Sequence, residues 1–396
     1  MLIATANRLN EVKEYYFSKK LQEVAALQKA GNDVINLGIG SPDMPPSDQT
    51  IDRLITSAKQ KQNHSYQSYR SVPELREAMS KWYGKTYGVN IDPVTEVLPL
   101  LGSKEGIMYI SMAFLNPGDE VLVPNPGYPA YSAVANLIGA KVKYYDLKEE
   151  NGWLPDLEFL RTEDLSKVKI MWINYPHMPT GTSAPENLFK ELIKFALEKN
   201  ILLCHDNPYS LILNNSPKSI MAIEGAKEAC LELNSLSKSH NMAGWRVGML
   251  MGKAEYINAV IQVKSNVDSG MFLPVQHAAV EALNNPPSFY DGINEEYNKR
   301  KKVACQMLDA LGCKYSQTQT GMFIWAKVPD KVESVEVLTD LILNKLYVFI
   351  TPGFIFGSNG NRYIRISLCA TLENLNKALN RIINNLELIN TNTHES

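Results

Sequence analysis

Lys238 stands in Ser235-Leu236-Ser237-Lys238, with Arg246 eight residues further on. Two hydroxyls, a primary amine and a guanidinium at this spacing can hold a phosphate while the amine meets an aldehyde. Taken alone, a lysine among serines is ordinary solvated loop, so the weight rests on what accompanies it. Gly102-Ser103-Lys104-Glu105-Gly106 precedes an apolar helical stretch, 107–115. Free backbone N–H groups at a helix start, beside a hydroxyl, make an anion site. The spacing is not that of a nucleotide-binding P-loop, and helix capping is the plainer use of such residues. Asp206 closes the apolar run 201–205, where a carboxylate is costly unless a cation completes it. Arg365 interrupts the alternating stretch Tyr363-Ile364-Arg365-Ile366-Ser367. It is either a charge on an exposed strand face or a bidentate fork for a carboxylate.

Ser-x-Ser-Lys followed by Gly244-Trp245-Arg246 resembles the cofactor-lysine segment of the class I/II aminotransferases. These enzymes use pyridoxal 5′-phosphate (PLP) on the fold-type-I scaffold. Other blocks stand in the family's order over about residues 35 to 370. The resemblance implies that Lys238 carries the cofactor and, once displaced, moves a proton. It makes Asp206 the partner of the pyridine nitrogen, which keeps PLP an electron sink. Tyr209, in Asp206-Asn207-Pro208-Tyr209, is expected to bond the cofactor's 3-oxygen, and Tyr128, in Pro126-Gly127-Tyr128-Pro129, to stack on its ring. Gly102, Ser103, Lys104, Ser235, Ser237 and Arg246 are the expected phosphate ligands. Tyr66 is expected to reach the phosphate in a neighbouring subunit. Gly40, through its backbone, and Arg365 are expected at the substrate's α-carboxylate, with Asn174 also expected to bind substrate, under a closing loop at 352–357.

One block departs from the family. Asn174-Tyr175-Pro176-His177-Met178-Pro179-Thr180-Gly181 has Met178 where Asn-Pro-Thr-Gly is usual, and a thioether cannot donate the hydrogen bond that the asparagine gives the 3-oxygen. Either Tyr209 serves that oxygen alone, or Asn174 or His177 substitutes. Residues 264–272 with Gln276 resemble the branch of alanine and LL-diaminopimelate aminotransferases, and this stretch shows no arginine for a distal carboxylate.

The elements that must position these groups follow from pattern. Short apolar or β-branched runs at 121–123, 141–145, 169–173 and 201–204 alternate with helical spacings such as Leu188, Leu192 and Phe195. This alternation predicts an α/β fold, a mostly parallel sheet flanked by helices. After Pro274 a long helix, a strand pair near 321–327 and 363–368, and a last amphipathic helix from Leu372 predict a smaller α+β domain. The expected division is 45–285 for the large domain, with 1–44 and 286–396 forming the small one. A helix over 9–30, using Leu9, Val12, Tyr16, Leu21, Val24 and Leu27, is expected to return to it, and the last residues, 391–396, are expected to lack order.

Composition narrows the class. The chain has 396 residues, 45% hydrophobic and 21% charged, with net charge −2. Such a chain builds a large core and presents no field for nucleic acid or an anionic membrane. No apolar run is long enough to span a membrane, the N-terminus lacks a signal-peptide pattern, and five scattered cysteines form neither a disulfide framework nor a zinc site. The expectation is a cytoplasmic homodimeric aminotransferase acting on an amino acid and a 2-oxo acid. The alternative on the same fold is a carbon–sulfur β-lyase or a decarboxylase. A non-catalytic regulator lacks an attached DNA-binding module, and a nucleotide-binding protein lacks a Gly-x-Gly-x-x-Gly turn.

Overall fold

Among the described residues, twelve strands follow one another: β1 Ile35–Asn36, β2 Val97–Leu100, β3 Glu120–Asn125, β4 Lys141–Asp146, β5 Val168–Ile173, β6 Leu202–Asp206, β7 Cys230–Ser235, β8 Gly248–Gly252, β9 Phe323–Lys327, β10 Val348–Phe349, β11 Thr351–Pro352 and β12 Tyr363–Ser367. This computed structural model describes residues 3–10 and 16–392. Strands β2 to β8 form one sheet in the order β2-β8-β7-β6-β5-β3-β4, parallel throughout except for β8.

Alternation along the strands sends side chains to two separate cores. Val121, Val123, Ile170, Trp172, Cys204 and Leu233 enter one; Leu122, Met171, Ile173, Leu203 and Cys230 enter the other. Each face is therefore apolar and covered by helices, which is why these strands read as near-continuous hydrophobic runs. Because six of the seven strands run the same way, their carboxyl ends meet along one edge, the edge where open α/β sheets bind ligands. The reversed β8 brings its amino end, just after Arg246, to that same edge. Sequence pattern alone did not mark β8: its five residues, Gly-Met-Leu-Met-Gly, are all buried and carry no alternation.

The two chain ends share a third core, in which Phe17, Val24 and Ile35 pack with residues from Ile293 to Ile389. Strand β1 pairs with β10 in parallel, and Lys20 bridges to Asp340 at 2.6 Å. Strands β11, β12 and β9 form an antiparallel sheet with β12 in the middle. The expected strand pair is thus present. The first helix runs over Tyr16–Lys29, Leu9 lies in a separate turn, Asn7–Asn10, and Val12 lies outside the described residues. The chain end differs from expectation: a helix continues over Leu386–Asn392, where the hydroxyl of Thr391 donates back to the carbonyl of Glu387. Residues 393–396 lie outside the described residues. Among the described residues, no helix is long and apolar enough to cross a membrane.

Candidate active site

A cavity of about 590 Å³ opens along the carboxyl edge of the large sheet and is also lined by Phe323 and Arg365 of the smaller sheet and by Phe356 of the turn that follows β11. Ser103, Lys104, Ser235, Ser237 and Arg246 gather at it. Gly102 caps the helix Ser103–Phe114 at φ +89°, a conformation that disfavours a side chain, and a Cβ there would run into the Arg246 guanidinium. A glycine therefore lets Arg246 close on the helix start, whose unsatisfied N–H groups favour an anion. The hydroxyl of Ser235 donates to that of Ser237 at 2.7 Å and accepts from the Ser237 amide at 3.0 Å, capping the four-residue helix Leu236–Ser239 that carries Lys238. The expected phosphate ligands are thus together at one end.

Lys238 donates from Nζ to the carbonyl of Gly40 at 2.5 Å. Burial lowers the affinity of this amine for its proton, nearby Arg365 and Arg246 push the same way, and Cys369 and Asp206 oppose them. Asp206 ends β6 on the same cavity, 5% exposed. Burial raises its carboxyl to about 6, against the hydrogen bond from Tyr131 and the charges of His205 and Lys238. Its Oδ2 accepts from the Tyr131 hydroxyl at 3.0 Å, while its Oδ1 has no partner among the described residues. Tyr128 and Tyr209 line the cavity as expected. Tyr131, which sequence reasoning missed, lies three residues past Tyr128 on the helix Ala130–Leu137. Its one available signal was its place three residues after Tyr128, at the start of the helix that follows that loop.

Arg365 is 4% exposed, so the exposed-face alternative is wrong. The antiparallel pairing on both sides of β12 turns its side chain inward, where the guanidinium lies 3.9 Å from the Phe323 ring centre and 4.6 Å from that of Phe356. It donates to the carbonyl of Gly38 at 2.7 Å and to the Met178 sulfur at 3.2 Å. Met178 therefore faces the arginine side of the cavity. Asn174 also lines the cavity, but its amide staples two strand ends together: it donates to the Asp206 carbonyl at 2.5 Å and accepts from the Met178 amide at 2.7 Å. His177 does not line the cavity; its ring pairs with Thr180 at 2.8 Å, and burial drops its imidazole to about 3. Tyr66 is 89% exposed and stands apart from the cavity of its own chain.

A buried acid with a bare oxygen is stable beside a ligand that brings a cation, and the protonated pyridine nitrogen of PLP is such a group. With an anion-binding helix start on the same cavity, the fold and the site define a PLP-dependent enzyme of fold type I. The model of the family "Aminotransferase class I and II" matches residues 32–382. The chain is 41% identical to an LL-diaminopimelate aminotransferase of Halothermothrix orenii, covering 96% of this chain and 98% of that relative. It is 40% identical, over the same shares, to one of Dehalococcoides mccartyi. Among solved structures, substrate-bound BacF from Bacillus subtilis superposes with a TM-score of 0.91 at 35% identity, covering 97% of this chain and 98% of that one. The chain belongs to the class I and II aminotransferases, and amino-group transfer with PLP is its activity.

Proposed function

We propose that Lys238, Asp206 and Tyr209 are the groups that act in this transfer, and that Gly102, Ser103, Lys104, Ser235, Ser237 and Arg246 hold the phosphate. The observation that carries the assignment is the bare, buried Oδ1 of Asp206 on one cavity with a lysine whose proton is weakly held. When bound, PLP supplies an aldehyde for the amine and a ring that accepts the electron pair left at the substrate's α-carbon. Asp206 keeps the ring nitrogen charged. Nζ of Lys238, poor in protons, takes up the α-proton of the amino acid. Tyr128 covers the ring, and Tyr209 donates to its 3-oxygen. Arg365 holds the α-carboxylate with a planar fork, backed by Gly40, and Asn174 serves the substrate with the second N–H of its amide, the first being held by the Asp206 carbonyl.

The division that fits these roles is a PLP-binding domain over 45–285 and a smaller domain from 1–44 and 286–396, the support being the core shared by the two chain ends. The exposed ring of Tyr66 suits completion of a neighbour's site in a homodimer. Five cysteines, all free, suit the reducing cytoplasm. The relatives' names put LL-diaminopimelate first on the panel of amino donors to be tried. In that panel each amino acid should bleach the visible band of the holoenzyme, and a 2-oxo acid should restore it without added cofactor. Bleaching that no 2-oxo acid reverses would refute this assignment of the site.

A further inference from the structure

We propose that Tyr131 is a positioning residue for the reaction: its hydroxyl selects which oxygen of Asp206 faces the cavity and keeps that carboxylate charged there. The proposal rests on Asp206 being the partner of the cofactor's ring nitrogen. Tyr131 is fully buried, and its ring is held on two sides. It lies parallel to Trp172 with centres 4.9 Å apart and planes 3° apart, and edge-on to Tyr128 at 5.5 Å and 86°. A ring so clamped has little freedom to swing, so its hydroxyl marks a fixed point for Oδ2 of Asp206. With Oδ2 taken, Oδ1 is the oxygen left to the cavity.

The donor is also permanent. Burial first, and then the charge of Asp206, raise the Tyr131 phenol far above the neutral range, so it never ionises against the carboxylate. The other titratable groups whose charge couples to Asp206 are His205, from the opposite face of the sheet, and Lys238 and Tyr209. Among them, His205 and Lys238 act on it through charge, whereas Tyr131 is the one that bonds it directly. The geometry also links two jobs, since the ring that pins Asp206 abuts the Tyr128 ring assigned to cover the cofactor.

Tyr131→Phe removes one oxygen and keeps the stack on Trp172. In the cofactor-free variant, the protonation midpoint of Asp206, followed by infrared difference of its carboxyl band against Asp206→Asn, should rise from about 6 by about one unit or more. In the holoenzyme, loss of this donor should slow the half-reaction several-fold at saturating amino acid, with little change in the concentration that half-saturates it. An unmoved midpoint in the cofactor-free variant would overturn the proposal and leave Tyr131 a packing residue. A wild-type half-reaction in Asp206→Asn would instead remove the reading on which it rests, while the midpoint shift could still be seen.

Discussion

Two buried carboxylates stand on adjacent strands of the large sheet and are treated in opposite ways. Glu232, on β7, is fully buried and its oxygens accept from Tyr83 at 2.8 Å, Ser219 at 2.7 Å, the Ile220 amide at 3.0 Å and His205 Nδ1 at 2.8 Å. Asp206, on β6, has one side-chain donor, Tyr131, and one bare oxygen. Strand alternation explains the split: His205 and Glu232 point to one face of the sheet, Asp206 to the other, at its carboxyl edge. A charge built into a core is surrounded until satisfied; a charge kept for a ligand is left one partner short. Counting partners thus separates the acid that is fully satisfied from the one left short, where composition and burial cannot.

The largest effect belongs to the incomplete side. Lys238→Ala should abolish turnover while PLP still binds through its phosphate and ring contacts; equilibrium dialysis against steady-state rates checks both halves. Retained turnover would mean that another amine serves.

Asp206→Asn and Glu232→Gln break the comparison by sign. Turnover in Asp206→Asn should fall by a factor on the order of a thousand, about 4 kcal/mol of barrier, as when a main electrostatic stabiliser is lost. Yet its cofactor-free protein should gain stability. Burial pushes the Asp206 carboxyl up to about 6 in the folded chain from an ordinary 3.8, so the folded state holds the proton more tightly and stability falls as pH rises through that window. Removing the charge should therefore return up to about 3 kcal/mol above pH 6 and nothing below about pH 4. Glu232→Gln presents an amide N–H₂ to donors and should cost roughly 3 kcal/mol. Urea midpoints of the two cofactor-free variants, compared at pH 5 and 7.5, test this; a loss of stability in both would erase the distinction.

Arg365→Lys probes the far wall of the cavity. An ammonium cannot reproduce the planar fork, so KM for the amino acid should rise roughly 30-fold, about 2 kcal/mol, with kcat less affected. Equal losses in kcat alone would move Arg365 out of substrate binding.

The smallest effect concerns Met178. Asn174 is engaged at both ends of its amide and His177 is turned from the cavity, so Met178→Asn should supply a donor to the cofactor's 3-oxygen. The pH midpoint of the holoenzyme's visible band should fall by about one unit if that bond is worth about 1.5 kcal/mol. A titration that does not move would show that the place is already served.

Much of this architecture is legible in the chain because local pattern carries it. Apolar runs mark β3 to β7, and polar residues at their carboxyl ends, among them Asp206 and Ser235, mark the edge where a ligand sits. What stayed hidden depends on contacts distant in sequence. Tyr131 reaches Asp206 across 75 positions, and Met178 reaches Arg365 across 187. No periodicity reports such pairs. The burial of Arg365 was hidden for a related reason: one charged residue in an alternating strand looks the same whether its face meets water or an aromatic wall. Strand β8 escaped notice because glycine at both ends leaves only Met249-Leu250-Met251, an apolar run too short and too poor in β-branched residues to read as a strand.

Everything proposed for the cavity turns on Lys238 being the amine that holds the cofactor beside Asp206. Borohydride reduction of the yellow holoenzyme, followed by peptide mapping, tests it most directly. One pyridoxyl-labelled peptide is expected, containing Ser235 to Arg246 with the label on Lys238. A label on Lys104 or any other lysine would contradict it.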